Sequence, residues 1–345
     1  MNWTLVRRVA LTIYLAALVW FSLDVGVPIG HDYIFVWIIA GLACASIGKP
    51  LRSVGVMLID WGPFLLVVIA YDLSRGWADN AGFGVHYTPQ LDADKVLFFG
   101  HVPTMWLEQH LYHPHLVHGL LGGTLVARPV ATTDVQWFEV LFDLTYLSHY
   151  LASFVLASAL WLKERVRFQA YVRRFVTLST AGFVTYVLFP AAPPWLAAQD
   201  GYLDPTVGRL GGRGFAWIHL KSVRNLIDIG AQSSNLVAAV PSLHAGFATL
   251  VAITLWPRAP RWARPLIALY PALMGFMLVA NGEHYVVDII LGVLYAFGAH
   301  ALWNRIEPWW KDRGLRSRSR DEERRSGHLV ATSPAPTPSS PSRDG

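Results

Sequence analysis

The chain has 345 residues, of which 54% are hydrophobic and only 15% charged, and its mean hydropathy is +0.37. Soluble domains carry about a quarter of their residues as charges, so this composition excludes an ordinary water-soluble globule and implies a membrane protein. The net charge of +5 would suit a nucleic-acid partner, but the cations are distributed as an orientation signal instead.

Eight apolar runs are long enough to expect membrane helices, at about residues 9–23, 33–47, 54–71, 137–162, 172–189, 244–256, 265–280 and 285–303. The expectation is an all-α polytopic membrane protein with about eight transmembrane helices and two long outer segments. Arg7 and Arg8 precede the first run as in a signal peptide, but no small-residue cleavage site follows, so it reads as an uncleaved first span. With both termini cytoplasmic, 21 of the 28 Lys and Arg fall on inner segments or the tail, a positive-inside pattern. The seven left outside are Arg75, Lys95, Arg128, Arg209, Arg213, Lys221 and Arg224. Cys44, the only cysteine, lies inside the second run and reads as a small packing residue.

The first outer segment, 72–136, follows YDLSRG (71–76) and contains an expected amphipathic helix near 96–112 and a glycine-rich turn at 119–123. Asp92 and Asp94 beside Lys95 read as a solvated helix start. The second, 191–240, begins within FPAAPPW (189–195) and holds a glycine cluster at 208–214 and an expected helix near 215–229. Segments this long in a compact protein are usually lids or binding walls. Trp77, Trp106, Trp195 and Trp217 suit a membrane interface. Beyond Trp303 the chain turns basic and then Ser/Pro-rich, which predicts disorder. The expected organisation is therefore 1–53 as N-terminal transmembrane helices, 54–304 as a catalytic membrane domain and 305–345 as a disordered cytoplasmic tail.

Two strings carry the chemistry, PSLHA (241–245) and HYVVD (284–288). In the second, His284 and Asp288 stand four apart, on one helix face. A carboxylate holding one ring nitrogen leaves the other unprotonated and nucleophilic. The first string puts His244 at a helix start, where free N–H groups favour an anion. Two histidines, a carboxylate and an anion-friendly turn suit phosphoryl transfer through a phosphohistidine. Alternating spans bring YDLSRG, FPAAPPW and both strings to the outer ends of their helices, so the site is expected to open extracytoplasmically.

These strings resemble the second and third signatures of the type-2 phosphatidic acid phosphatase superfamily. PSLHAG, HYVVD and Gly292 are most similar to its inositol phosphotransferase branch, the aureobasidin-resistance-type inositol phosphorylceramide synthases. The resemblance runs from about Tyr71 to Gly292, concentrated in four short stretches. It implies a six-helix phosphatase-like catalytic core, a lipid donor, a lipid alcohol acceptor and a plasma-membrane location. It also implies roles: His284 attacks phosphorus, Asp288 holds it, His244 moves protons to and from the oxygens, and Ser242 with nearby N–H groups holds phosphate oxygens. The phosphatase signature's Ser-Arg before the nucleophile is absent, with Met277 and Leu278 in its place, and no arginine follows Lys95 at the first signature's spacing. The transferring dianion still needs cations; Arg75 is the first choice, then Arg224 and Lys221.

Several residues carry a second reading. Arg75 pairs with Asp72 at a helix end or binds substrate with Asp72 and Tyr71. His149, in a polar patch with Tyr146 and Ser148, is a packing residue or a substrate contact. His110, His113, His115 and His118 lack defined ligand spacing and read as a solvated loop, so no metal is expected. No glycine pattern suits a nucleotide, so no cofactor and no nucleic-acid partner are expected. The alternatives are a lipid phosphate or prenyl diphosphate phosphatase, and, more remotely, a proton-coupled transporter using the His–Asp pair, although no internal repeat is visible.

Overall fold

The computed structural model describes residues 2–24, 31–78, 83–112, 135–204, 207–218 and 235–331. All eight apolar runs are helical: α1 (Trp3–Asp24), α2 (His31–Ser46), α3 (Leu51–Ala78), α6 (Trp137–Lys163), α7 (Arg165–Leu188), α10 (Leu243–Leu255), α11 (Arg264–Ala280) and α12 (Val286–Ala331). Between them lie the shorter α4 (Thr88–Leu97), α5 (Pro103–Leu111), α8 (Pro194–Gln199) and α9 (Arg213–Trp217). Among the described residues, four stretches are long and apolar enough to cross a membrane: Trp3–Phe21, Arg52–Tyr71, Arg261–Ala280 and Val286–Trp309. Helix α6 makes a fifth if its halves, bent by 49° next to His149, form one span. Helix α7 carries four arginines. Helix α10, with 13 residues, is roughly 20 Å long, short of the roughly 30 Å hydrocarbon layer. The chain is an all-α, multi-pass membrane protein.

The main core forms where α3 and α6 pack on α7, with Trp61, Phe64, Phe154, Phe168 and Phe175 nested ring on ring. A second cluster joins α6, α10 and α11 through Phe142, Ala248, Met274 and Met277. One end of the bundle is tied by ion pairs. Asp60 receives Arg165 and the Trp161 indole N–H, while Glu164 receives Arg167 and Arg258. Glu164 alone separates α6 from α7, so the basic inner loop expected there is instead the first turns of α7.

Two other expectations change, and a third is described only in part. The single helix near 96–112 is two, because Phe99 and Gly100 both take positive φ (53° and 92°) and Pro103 restarts the helix. The helix near 215–229 is described only as far as α9, and 219–234 lie outside the described residues. The tail expected to be disordered from 305 is helical to Ala331; this stretch is rich in helix-forming Arg and Glu and has no proline after Pro308. Residues 332–345 lie outside the described residues.

Candidate active site

Both histidine strings fold at helix starts. Ser242 caps α10, its hydroxyl accepting the Ala245 N–H at 3.4 Å. His244 therefore sits in the first turn. His284 lies just before α12. Asp288, in that helix's first turn, accepts the Tyr285 N–H at 2.9 Å and has its Oδ2 3.4 Å from His284 Nδ1. His284 Nε2 in turn lies 3.4 Å from His244 Nδ1. His284, Asp288 and Ser242 are all buried. The sequence spacing thus becomes a line: carboxylate, imidazole, imidazole. If Asp288 holds the proton on Nδ1, the Nε2 lone pair of His284 points toward His244.

The two helices meet closely because both are glycine-lined. A Cβ at Gly292 would strike the Ser242 carbonyl oxygen, and one at Gly246 would lie 3.2 Å from the Gly292 carbonyl. The Ser242 N–H also donates to the Asp288 carbonyl at 3.0 Å. Helix α6 closes the third side, with the His149 ring 4.2 Å and the Tyr146 ring 5.3 Å from His244. His149 is thereby brought to the site. Tyr71 packs on Phe183, against the main core. Asp72 and Arg75 lie on α3, with side chains outside the described residues, as are Lys221 and Arg224 altogether.

FPAAPPW builds the platform beneath PSLHA. Ala191 bridges to His86 on one side and to Ala238 on the other, fixing three extended segments side by side. His86 stacks on Phe189 at 4.0 Å.

The structure adds residues that spacing did not single out. Asp94, expected to be solvated, is fully buried and accepts the Val286 and Val287 N–H groups at 2.9 Å each. It caps the helix carrying Asp288 from 190 residues away, satisfying N–H groups that every helix start leaves open. Burial raises its carboxyl above the usual range, opposed by those two bonds. Arg209 forms a two-point pair with Glu283, the residue before His284, at 2.7 and 3.4 Å, and its charge bears on His244. It is a described cation beside the histidines, drawn from the glycine cluster.

That cluster is itself pinned by acids. Glu108 accepts the Gly208 N–H at 3.1 Å, and Asp143 accepts those of Gly212 and Phe215 at 2.8 and 2.9 Å. Glu139 lies 3.4 Å from Arg213 Nε, with both side chains buried. Burial pushes the Glu108 carboxyl up to about 9, so it is neutral at pH 7. Among the described residues, no group of three His, Cys, Asp or Glu is arranged to hold a metal ion; His113, His115 and His118 lie outside them.

The family pattern of the PAP2 superfamily matches residues 121–302, more than half the chain. The chain belongs to the PAP2 superfamily. It is an enzyme of that superfamily's phosphotransferase and phosphatase type. It is 25% identical over 256 residues to the phosphoinositol dihydroceramide synthase of Bacteroides thetaiotaomicron, covering 71% of this chain and 75% of that one. It is 28% identical over 189 residues to the inositol phosphorylceramide synthase catalytic subunit of Saccharomyces cerevisiae, covering 52% of this chain and 46% of that protein. For the Schizosaccharomyces pombe counterpart the figures are 26% over 185 residues, 52% and 43%. The chain thus spans less than half the length of these yeast relatives. No solved structure matches it.

Proposed function

We propose that the protein transfers a phosphoinositol-type head group from a donor lipid to a lipid alcohol. The observation that carries this is the line Asp288–His284–His244, with each step 3.4 Å. The synthase names of its relatives in bacteria and yeast support the inositol assignment.

Held at Nδ1 by Asp288, His284 attacks the donor phosphorus through Nε2. The bond to the diacylglycerol oxygen breaks, and His244 gives that oxygen a proton. The acceptor hydroxyl then loses its proton to His244 and attacks phospho-His284, restoring both rings. Ser242 and the N–H groups at the start of α10 receive phosphate oxygens. Arg209 leaves Glu283 to neutralise the charge on the transferring group, the task that Arg75, Arg224 and Lys221 share if they reach it. His149 orients His244. The eight apolar helices embed the chain in the plasma membrane, α10 reaching only part of the way across, with both termini cytoplasmic and the histidines at the outer face. Residues 1–53 flank a catalytic domain of 54–304.

Product analysis in mixed micelles containing phosphatidylinositol and ceramide-type alcohols, without added metal, tests this. A new inositol-phosphate lipid with diacylglycerol, both lost in His284→Ala, is the expected result. Inorganic phosphate released from a monoester or diphosphate lipid, with no transfer product, would replace the transferase with a phosphatase.

A further inference from the structure

Helix α4 ends in an apolar tip that faces out of the molecule. Val96, Leu97, Phe98 and Phe99 follow one another and are all exposed, Val96 by 79% and Phe99 by 95%. The turn is a built feature. The Gly100 N–H donates back to the Lys95 carbonyl at 2.6 Å and the His101 N–H to the Phe98 carbonyl at 3.1 Å. This closure holds Phe99 at a φ of 53°, which a bulky residue rarely adopts. Trp106, in the first turn of α5, is exposed as well. Exposed apolar clusters of this kind mark a partner or a membrane.

Where the tip sits decides between them. Leu107 and Leu111 of α5 pack against the cluster that contains Met277, Leu278 and Ala280 at the end of α11, a helix long and apolar enough to cross a membrane. That end leads directly into the His284 turn. Beside these packed residues, Phe276 on α11 and Trp137 and Leu141 on α6 are exposed. The tip therefore belongs to the end of the bundle where two apolar helices already present apolar side chains outward. Helices α4 and α5 have 10 and 9 residues, about 15 Å or less each, so they can dip into one leaflet without crossing it. Behind the tip the surface turns polar. A cleft of about 490 Å³ opens there, with Lys95, His101, Trp106, Gln109, Tyr202 and Asp204 in its lining, and Lys95 keeps only a loose 3.8 Å pair with Asp92. An apolar end, a tryptophan at its shoulder and a lysine behind it match, in that order, the acyl chains, the interfacial region and the phosphates of a phospholipid leaflet. A protein partner needs no such order.

We infer that the α4–α5 turn is an interfacial lipid anchor: Val96, Leu97, Phe98, Phe99 and Trp106 enter the phospholipid leaflet nearest His284, with Lys95 and the cleft at the level of the lipid phosphates. Interfacial segments of this kind lie about 5–10 Å into the boundary between head groups and acyl chains. Asp94, the residue before Lys95, ties the anchor to the first N–H groups of α12. The anchor thus sets the height at which the His284 turn meets lipid phosphorus, whichever head group the enzyme moves.

Cys44 is the only cysteine, so Cys44→Ser gives a background in which one added thiol takes a nitroxide spin label. Labels at Asp92→Cys, Lys95→Cys, Val96→Cys and Phe99→Cys are compared in the full-length protein, in nanodiscs of phosphatidylcholine and phosphatidylglycerol. The readout is collision with oxygen, which concentrates in hydrocarbon, against collision with a water-soluble nickel chelate. All these side chains are exposed, so the substitutions leave packing intact, and Val96→Cys decides if Phe99→Cys upsets the turn. The expected result is a gradient: the nickel chelate dominates at Asp92, the two balance at Lys95, and oxygen dominates severalfold at Val96 and Phe99. Labels at Val96 and Phe99 that meet the nickel chelate as readily as the one at Asp92 would place the tip in water and overturn the anchor. Immobile labels there that neither reagent reaches would show protein covering the tip, from this chain or a second copy, and would overturn it too. A Lys95 label as deep as that at Phe99 would overturn the placement of the cleft at the phosphates. None of these readings needs turnover, so loss of the transferase reading would leave the anchor to stand or fall on its own.

Discussion

The reactive histidines and the scaffold around them are held differently. Both contacts of His284 with its partners are 3.4 Å, at the long end of hydrogen bonding. The bonds that fix the surrounding backbone are short: 2.9 Å from Asp94 to the start of α12, 2.8 and 2.9 Å from Asp143 to the glycine loop, and 2.7 Å between Arg209 and Glu283. The difference suits a site awaiting substrate, since catalytic hydrogen bonds tighten as the transition state forms. Rigidity is placed in helix starts and loop, and the adjustable contacts are left where phosphorus arrives.

The largest expected effect comes from breaking the loose part. His284→Ala should reduce transfer to background, and His244→Ala should lower kcat by about 10²- to 10⁴-fold. Neither ring supports the scaffold, so membrane insertion and thermal stability should stay near wild type. Residual transfer of wild-type size in either variant would end the phosphohistidine scheme.

Breaking the tight part should give a smaller and different signature. Asp94→Ala opens two N–H groups at the start of α12, a loss of about 1–2 kcal/mol in stability. It also lets the His284–Asp288 turn fray, so kcat should fall roughly tenfold with KM little changed. Asp94→Asn, which keeps one acceptor, should recover part of both; equal loss in the two variants would refute capping as the role. Gly292→Ala tests the helix crossing. A methyl there meets the Ser242 carbonyl, so overpacking should cost about 1–3 kcal/mol and shift the His244 helix, lowering melting temperature and kcat together.

This division also decides what the sequence could disclose. His244, His284 and Asp288 were legible because they lie within short strings at helix-start spacing, and the apolar runs were legible because a helix in lipid needs nothing but length and hydropathy. Asp94 was not. Its partners are the backbone N–H groups of Val286 and Val287, which carry no side-chain identity to match across 190 residues, and its neighbours Asp92 and Lys95 made it look like solvated surface. Arg209 and Arg213 were counted among the outer cations, but the glycines around them give no signal of which arginine is paired and which buried. The burial of Glu108 depends on α5 docking against α11, a tertiary fact that local pattern does not contain. The kink at Phe99–Gly100 was missed for the opposite reason: hydrophobic periodicity passes through it unbroken.

The smallest effect expected sharpens the scaffold's own energetics. Glu108 has its carboxyl raised from 4.5 to about 9, with desolvation the leading cause and the Gly208 N–H a partial offset. The folded protein therefore keeps a proton that the unfolded chain gives up above about 4.5. Between those limits the folded state binds more protons, so this group's contribution to stability falls as pH rises, and the decline ends once the folded carboxyl also ionises near 9. Glu108→Gln removes the titration while keeping volume and neutrality. It should flatten the decline in melting temperature between pH 6 and 9 and leave the variant more stable than wild type at the alkaline end, with little difference near pH 5. Parallel curves for the two proteins across that range would mean that Glu108 is already ionised in the fold.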